Sequence, residues 1–150
     1  MIKVERLLYK ISGDLIERID VLDEVKNRAK DPSKLIDLIY GFGTKLSDRL
    51  KELNIPFEYV NESRVTTLEG LNFAYKVSEE IKKQLKNEFR GTNITLISPV
   101  KREQQNVRNI NADELVMKTA HKYDKVYVYT QKGRNKDKFK GIKNIEILYR

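Results

Sequence analysis

The sequence predicts an α/β protein, with a helical N-terminal part followed by a small three-layer, mostly parallel, Rossmann-like sheet. Two observations favour this fold class. Apolar residues in the first third of the chain recur with a helical period, and from Pro56 onward short apolar runs alternate with helical patterns. The second pattern reads strand, helix, strand, helix, strand, strand, which is typical of a small α/β sheet. We therefore expect a helical subdomain over residues 1–55 and a small α/β domain over residues 56–150.

The N-terminal helices are predicted from spacing and from end signals. Residues 14–30 place apolar side chains at helical intervals, Ser12 or Asp14 can cap the helix, and Asp31-Pro32 ends it. A second helix is expected from Ser33 through the apolar residues of 35–39, and a third after Gly43. The first dozen residues fit either a helix or a strand, and the pattern leaves this open.

The second part of the chain gives clearer elements. Strands are predicted over 56–60, 93–98, 125–130 and 144–149, and helices over 67–89 and 111–123. The continuous apolar character of "ITLI", "VYVY" and "IEILY" is typical of strands that are covered on both faces.

Composition narrows the functional classes. The sequence has no cysteine and a single histidine, which excludes disulfides, thiolate metal sites and histidine-rich metal sites. No apolar run reaches the length of a membrane span and no secretory signal opens the chain, so we expect a cytoplasmic protein without a membrane partner, or a nuclear one in a eukaryotic host. Residues 1–89 carry 16 basic and 16 acidic residues, whereas residues 90–150 carry 14 basic and 6 acidic ones. This asymmetry favours a polyanion as partner.

The basic residues are predicted to meet at one edge. Loops that leave the carboxyl ends of parallel strands lie along the same edge of a sheet, where ligands bind. The loops 61–64, 99–108 and 131–143 follow three predicted strands, so we expect a clamp for nucleic-acid phosphates there. Its candidate residues are Arg64, Lys101, Arg102, Arg108, Lys132, Arg134, Lys136 and Lys138.

A glycine-rich segment adds a second candidate. "LIDLIYGFGTKLSDRL" resembles the helix-hairpin-helix DNA-binding element, and is similar to the hairpin of family X DNA polymerases. The resemblance implies that Gly41 and Gly43 let the backbone approach a phosphate, with Thr44 and Lys45 opening the second helix. The alternative is a helical corner in which a glycine ends the first helix.

Two enzyme families show partial similarity. A family X polymerase would need metal-binding acids where this sequence has Asn109 and Asn111. "ADELVMKTAHKYDKVYVYTQ" resembles the late helix and strand of PIN-like nucleases, in which Asp113 would match one metal-binding acid. The second acid of that motif is replaced by Lys132.

The sequence thus favours a non-catalytic nucleic-acid-binding protein, with DNA preferred over RNA and with no catalytic residue, metal or cofactor expected. One alternative is a structural or assembly subunit that contacts a protein partner through residues 1–89. A second alternative is a degenerate relative of PIN-like nucleases or of family X polymerases.

Overall fold

The fold was obtained as a computed structural model. It describes residues 3–13, 15–41, 48, 52–54, 68–98, 100–103, 106–109, 112–132 and 137–150. Among these residues, no helix is both long enough and apolar enough to cross a membrane.

Seven strands and three α-helices alternate along the described chain. In order they are β1 (Glu5–Ile11), α1 (Ile19–Ala29), β2 (Lys34–Tyr40), α2 (Leu68–Glu88), β3 (Ile94–Ile97), β4 (Val100–Glu103), β5 (Asn106–Asn109), α3 (Ala112–Thr119), β6 (Lys125–Thr130) and β7 (Ile145–Tyr149). A short 3₁₀ helix, Ala120–Lys122, extends α3 toward β6.

Five of these strands form one sheet in the order β3-β2-β1-β6-β7, and every neighbouring pair is parallel. The strands β4 and β5 form a separate antiparallel hairpin. The α/β fold class and the mostly parallel sheet expected from the sequence are therefore confirmed.

Helices cover the sheet on both faces, because alternate residues of each strand point to opposite sides. On one face Leu7, Tyr9 and Ile11 of β1 join the buried sides of α1 and α2 in one apolar cluster. On the other face Leu8 packs in a second cluster together with Val116 of α3. The result is the three-layer arrangement predicted from the apolar strands.

The structure corrects the prediction of a helical N-terminal part. Residues 34–40, predicted to be helical, form β2, which lies between β1 and β3 in the sheet. The spacing of Leu35, Ile36, Leu38 and Ile39 suits a helix, but a strand covered on both faces also carries consecutive apolar residues. The first dozen residues, left open by the sequence, contain β1.

The predicted domain boundary between residues 55 and 56 lies outside the described residues, as does the strand predicted over 56–60. The five-stranded sheet draws on both sides of that boundary, since β1 and β2 precede it and β3, β6 and β7 follow it.

Candidate functional site

The candidate site lies at the carboxyl edge of the sheet. Because β1, β2, β3 and β6 are parallel, the segments that leave their C-terminal ends share this edge. Ligands of open parallel α/β sheets bind in this position. The edge is reached by the turn at Ser12-Gly13, by Gly41, by the β4–β5 hairpin and by the loop between β6 and β7.

The turns after β1 and β2 touch each other through their backbones. A Cβ atom built on Gly41 would lie 2.5 Å from the backbone nitrogen of Gly13 and 2.9 Å from its Cα atom. The backbone N–H of Gly41 also donates a hydrogen bond to the carbonyl of Ile11 over 3.0 Å. Only glycine fits at position 41, since any side chain would collide with backbone atoms.

Lys10 is a charged residue inside the sheet. It is the last but one residue of β1, its register partners are Ile39 and Val128, and it is only 5% exposed. An ammonium group in such surroundings must be paired with an acid and hydrogen-bonded.

Asp113 supplies that pairing from the first turn of α3. Its Oδ1 atom lies 2.9 Å from Nζ of Lys10, and its Oδ2 atom lies 2.5 Å from Nζ of Lys138. Burial by itself would raise the pKa of the Asp113 carboxyl, but the two ammonium groups outweigh burial and hold this pKa below its ordinary value. The carboxylate is therefore ionised at neutral pH and fixes both lysines.

The loop between β6 and β7 is anchored beside Lys138. The next residue, Phe139, is 5% exposed and packs in the same apolar cluster as Val116 of α3. Lys138 itself is 45% exposed, so it faces the solvent at the rim while Lys10 lies beneath it. Gly141 closes the loop with a φ of +92°, a conformation that suits glycine.

A buried hydroxyl network holds the β4–β5 hairpin at the same edge. The hydroxyl of Tyr40, at the end of β2, donates to the carbonyl of Ser78 in α2 over 3.2 Å. The hydroxyls of Ser78 and Ser98 are hydrogen-bonded to each other, and the backbone N–H of Val100 donates to Oγ of Ser98 over 3.1 Å. This network joins the end of β2, Ser98 and the start of β4 to α2.

The structure places the sequence-predicted residues unevenly. Lys138 lies at the edge in contact with Asp113, and Gly41, which was predicted in a hairpin between two helices, lies at the same edge at the end of β2. Lys132 is exposed in the loop that follows β6. Lys101, Arg102 and Arg108 belong to the β4–β5 hairpin, but their side chains lie outside what is described. The remaining candidates, Gly43, Thr44, Lys45, Arg64, Arg134 and Lys136, lie outside the described residues.

The structure differs from the helix-hairpin-helix element in the segment before the predicted hairpin. The segment 42–45 is outside the described residues, so the hairpin itself stays a prediction. The helix that should precede the hairpin is instead the strand β2.

The metal role that the PIN-like resemblance gave to Asp113 does not match its surroundings, because two lysine ammonium groups occupy its oxygens. Among the described residues, no group of three or more acidic, histidine or cysteine side chains gathers as a metal site would require. Sequence reasoning missed Lys10. The available signal was a single lysine near the end of the apolar run "LLYKI", in a strand that was left open.

Comparison with known proteins gives a fold match without a family. No protein-family model matches the sequence, and no curated protein sequence matches it either. Among solved structures, the smu.665 protein of Streptococcus mutans UA159 superposes with a TM-score of 0.66 at 18% identity, over 83% of this chain and 72% of that one.

N-acetylglutamate synthase from Neisseria gonorrhoeae shares the fold in two structures. The complex with coenzyme A and N-acetyl-glutamate gives a TM-score of 0.66 at 13% identity, over 86% of this chain and 42% of the synthase. The complex with coenzyme A and L-arginine gives 0.68 at 12% identity, over 86% and 44%. The chain thus spans less than half of the synthase, and at identities this low the superposition shows a common fold alone.

These findings overturn the predicted function. The synthase is an enzyme, and the ligands in its two structures are coenzyme A and amino-acid compounds, not nucleic acid. The prediction of a non-catalytic nucleic-acid-binding protein with DNA or RNA as its partner is therefore wrong. The physical reason for the error is visible at Lys138, whose charge was assigned to a phosphate backbone but is directed at the internal carboxylate of Asp113.

Proposed function

We propose that the carboxyl edge binds a small anionic acceptor and supports transfer of a phosphoryl group to it from a nucleoside triphosphate. The observation that carries this proposal is the arrangement of Lys10 and Lys138 on the single carboxylate of Asp113. Two ammonium groups and one carboxylate leave a positive charge at the place where α/β sheets bind ligands.

Stability alone is a weak reason to keep such a group of charges. A buried ion pair contributes little beyond a well-packed apolar pair of similar size, because desolvation offsets the attraction between the charges. Lys10 lies between Ile39 and Val128, where an apolar side chain would cost less. Binding of an anionic ligand by the ammonium group of Lys10 would explain why a lysine stands at this position.

Phosphoryl transfer suits what these residues can do. Its catalysis consists mainly of positioning and of neutralising the charge on the transferred group, with little covalent chemistry for the protein. The bond from the terminal phosphorus of the nucleoside triphosphate to its bridging oxygen breaks and releases the diphosphate, while a bond from that phosphorus to the acceptor oxygen forms. Lys10 and Lys138 would stabilise the oxygens of the group in transit, and Asp113, kept ionised by its low pKa, would orient both lysines.

The substrate class follows from the site and from the neighbours. A carboxylate or phosphate group matches the positive edge, and the synthase complexes contain N-acetyl-glutamate or L-arginine. We therefore propose an amino-acid-derived acceptor. The absence of cysteine from the sequence is compatible with a cytoplasmic site of action, which stays our expectation.

A second candidate is acyl transfer from coenzyme A, which both synthase structures contain. Acyl transfer to an amine needs a group that removes a proton from the attacking nitrogen. Asp113 is a poor choice for that role, because the two lysines lower its pKa. Asp113 therefore suits a role in positioning the two lysines better than a role in removing a proton.

The experiment offers the purified chain magnesium–ATP together with N-acetyl-glutamate, glutamate or L-arginine, and follows the phosphorus NMR spectrum for a new phosphorylated product. We expect a product with one of the acceptors, and we expect Lys10→Met to abolish it. Lys30→Met is the matched control, because Lys30 is exposed at the end of α1, near the start of β2 and away from the carboxyl ends of the strands.

Acetyl-coenzyme A with the same acceptors forms the second arm, read by release of the free thiol. Thiol release that depends on Lys10, without phosphoryl transfer, would favour the second candidate. Absence of both activities, with no thermal stabilisation by any of these compounds, would contradict a group-transfer function.

A further inference from the structure

We infer that the outer edge of β3 binds an extended acidic peptide segment of a partner protein. This surface uses none of the residues of the carboxyl-edge site. The inference is therefore independent of the proposed function.

The backbone of β3 is available for pairing. The strand stands last in the sheet, and in the described part of the chain its ladder partner is β2 alone. The carbonyl of Asn93 accepts a hydrogen bond from the N–H of Ile36, so Asn93 faces β2. Because backbone groups alternate in direction along a strand, the N–H and C=O groups of Ile94 and Leu96 point outward.

A groove runs beside this edge, and we call it the β3 groove. Its volume is about 370 Å³, and it is lined by Lys82, Lys86, Phe89, Ile94, Thr95 and Leu96. Phe89 is 5% exposed and forms an apolar floor, while Ile94 and Leu96 are half-buried. Apolar side chains that alternate along a docked strand would find this floor on one side.

Two lysines at the rim of the β3 groove favour a partner segment with acidic side chains. Lys82 and Lys86 stand one turn apart on α2, and neither forms an ion pair with a described residue. Acidic side chains on a peptide that extends β3 would meet both ammonium groups. Recognition would then combine main-chain hydrogen bonds for affinity with charge for selection.

Protection against unwanted pairing is a different use of lysine at a sheet edge. Protective edge strands are very short or carry lysine, proline or a bulge. At four residues β3 is short. The sequence of β3 is Ile-Thr-Leu-Ile and contains no such residue. The lysines stand on the neighbouring helix instead, where they leave the strand free to pair.

The test uses a short capped peptide of alternating glutamate and valine, titrated into the full chain and followed by calorimetry and by backbone amide NMR. We expect saturable binding, with the largest shifts at the amides of Ile94 and Leu96. The matching lysine–valine peptide should not bind. The double variant Lys82→Glu/Lys86→Glu should weaken binding by about tenfold, because it replaces two exposed attractions with repulsions.

The matched control is Lys76→Glu/Lys83→Glu, which reverses two exposed charges of the same helix outside the groove and should change affinity by less than about twofold. Leu96→Pro removes an outward N–H while sparing the bonds to β2, and should also weaken binding. If that variant does not fold, the two charge-reversal variants decide the question. Absence of saturable binding, equal loss in both double variants, amide shifts away from β3, or self-association of the chain through this edge would overturn the inference.

Discussion

Replacing Asp113 with asparagine tests the central contact of the site. The change keeps the shape of the side chain and removes the charge that compensates Lys10, whose side chain is 6% exposed. Breaking a buried pair by removing one partner costs about 3–5 kcal/mol, because an uncompensated charge stays in the interior. We expect a cost in the lower part of that range, about 3 kcal/mol. Only Lys10 is left buried without a compensating charge, because Lys138 is 45% exposed and water can solvate its ammonium group.

Denaturant unfolding at neutral pH measures this loss. Lys138→Gln is the matched comparison, because it leaves the pair of Lys10 and Asp113 intact and should cost no more than about 1 kcal/mol. The double variant Lys10→Met/Asp113→Leu removes both buried charges and should recover most of the stability that Asp113→Asn loses. A stability of Asp113→Asn within about 0.5 kcal/mol of the wild type would refute the reasoning, because surface substitutions have effects of that size.

The pH dependence of the same variants gives an independent check. The pKa of Asp113 is lowered in the folded protein, so its contribution is present above the unfolded pKa and disappears as the pH falls through the folded pKa. Wild-type stability should therefore decline in acid by more than the stability of Asp113→Asn. Parallel acid profiles would show that the carboxylate is not held by the lysines.

Three further predictions concern the frame of the site. Gly41→Ala should lower stability by about 1–3 kcal/mol in a denaturant titration, because its Cβ would lie 2.5 Å from the nitrogen of Gly13; an unchanged midpoint would contradict the close contact. Burial and the hydrogen bond to Asp37 raise the pKa of Tyr123 to about 12. The stability of the folded protein should therefore fall as the pH rises from 10 to 12, and Tyr123→Phe should remove that part of the alkaline decline. Ser98→Ala should raise amide exchange in the β4–β5 hairpin without unfolding the sheet; hydrogen-exchange rates like those of the wild type would contradict the role of the hydroxyl network.

The helix α2 and the strand β6 were predictable from the sequence. The helix expected over 67–89 is α2, Leu68–Glu88, and the strand expected over 125–130 is β6, Lys125–Thr130. In α2 the helical period of the apolar residues matches the buried face. In β6 the valines and tyrosines of "KVYVYT" favour a strand.

The strand β2 was not predictable in the same way. Its side chains are buried on both faces of the sheet, and a strand covered in this way has no alternation that separates it from a helix. Knowledge of the strand order would have been required, and no local signal encodes it.

The candidate site depends even more on topology. Lys10 and Asp113 lie far apart in the sequence and meet because β1 is central and α3 begins at its carboxyl end. The prediction that strand-end loops share one edge was sound for Lys138. It did not reveal which basic residue was balanced by an internal acid, because pairing between distant side chains leaves no pattern along the chain.

The most direct test of the account is an amide NMR titration of the full chain with inorganic phosphate, run in parallel on the wild type and on Lys10→Met. We predict saturable shifts at the amides of Gly13, Gly41 and Asp113 in the wild type, and their loss in a folded Lys10→Met protein. Shifts that persist in Lys10→Met, or that spread without saturation over the exposed lysines, would contradict an anion-binding site at the carboxyl edge.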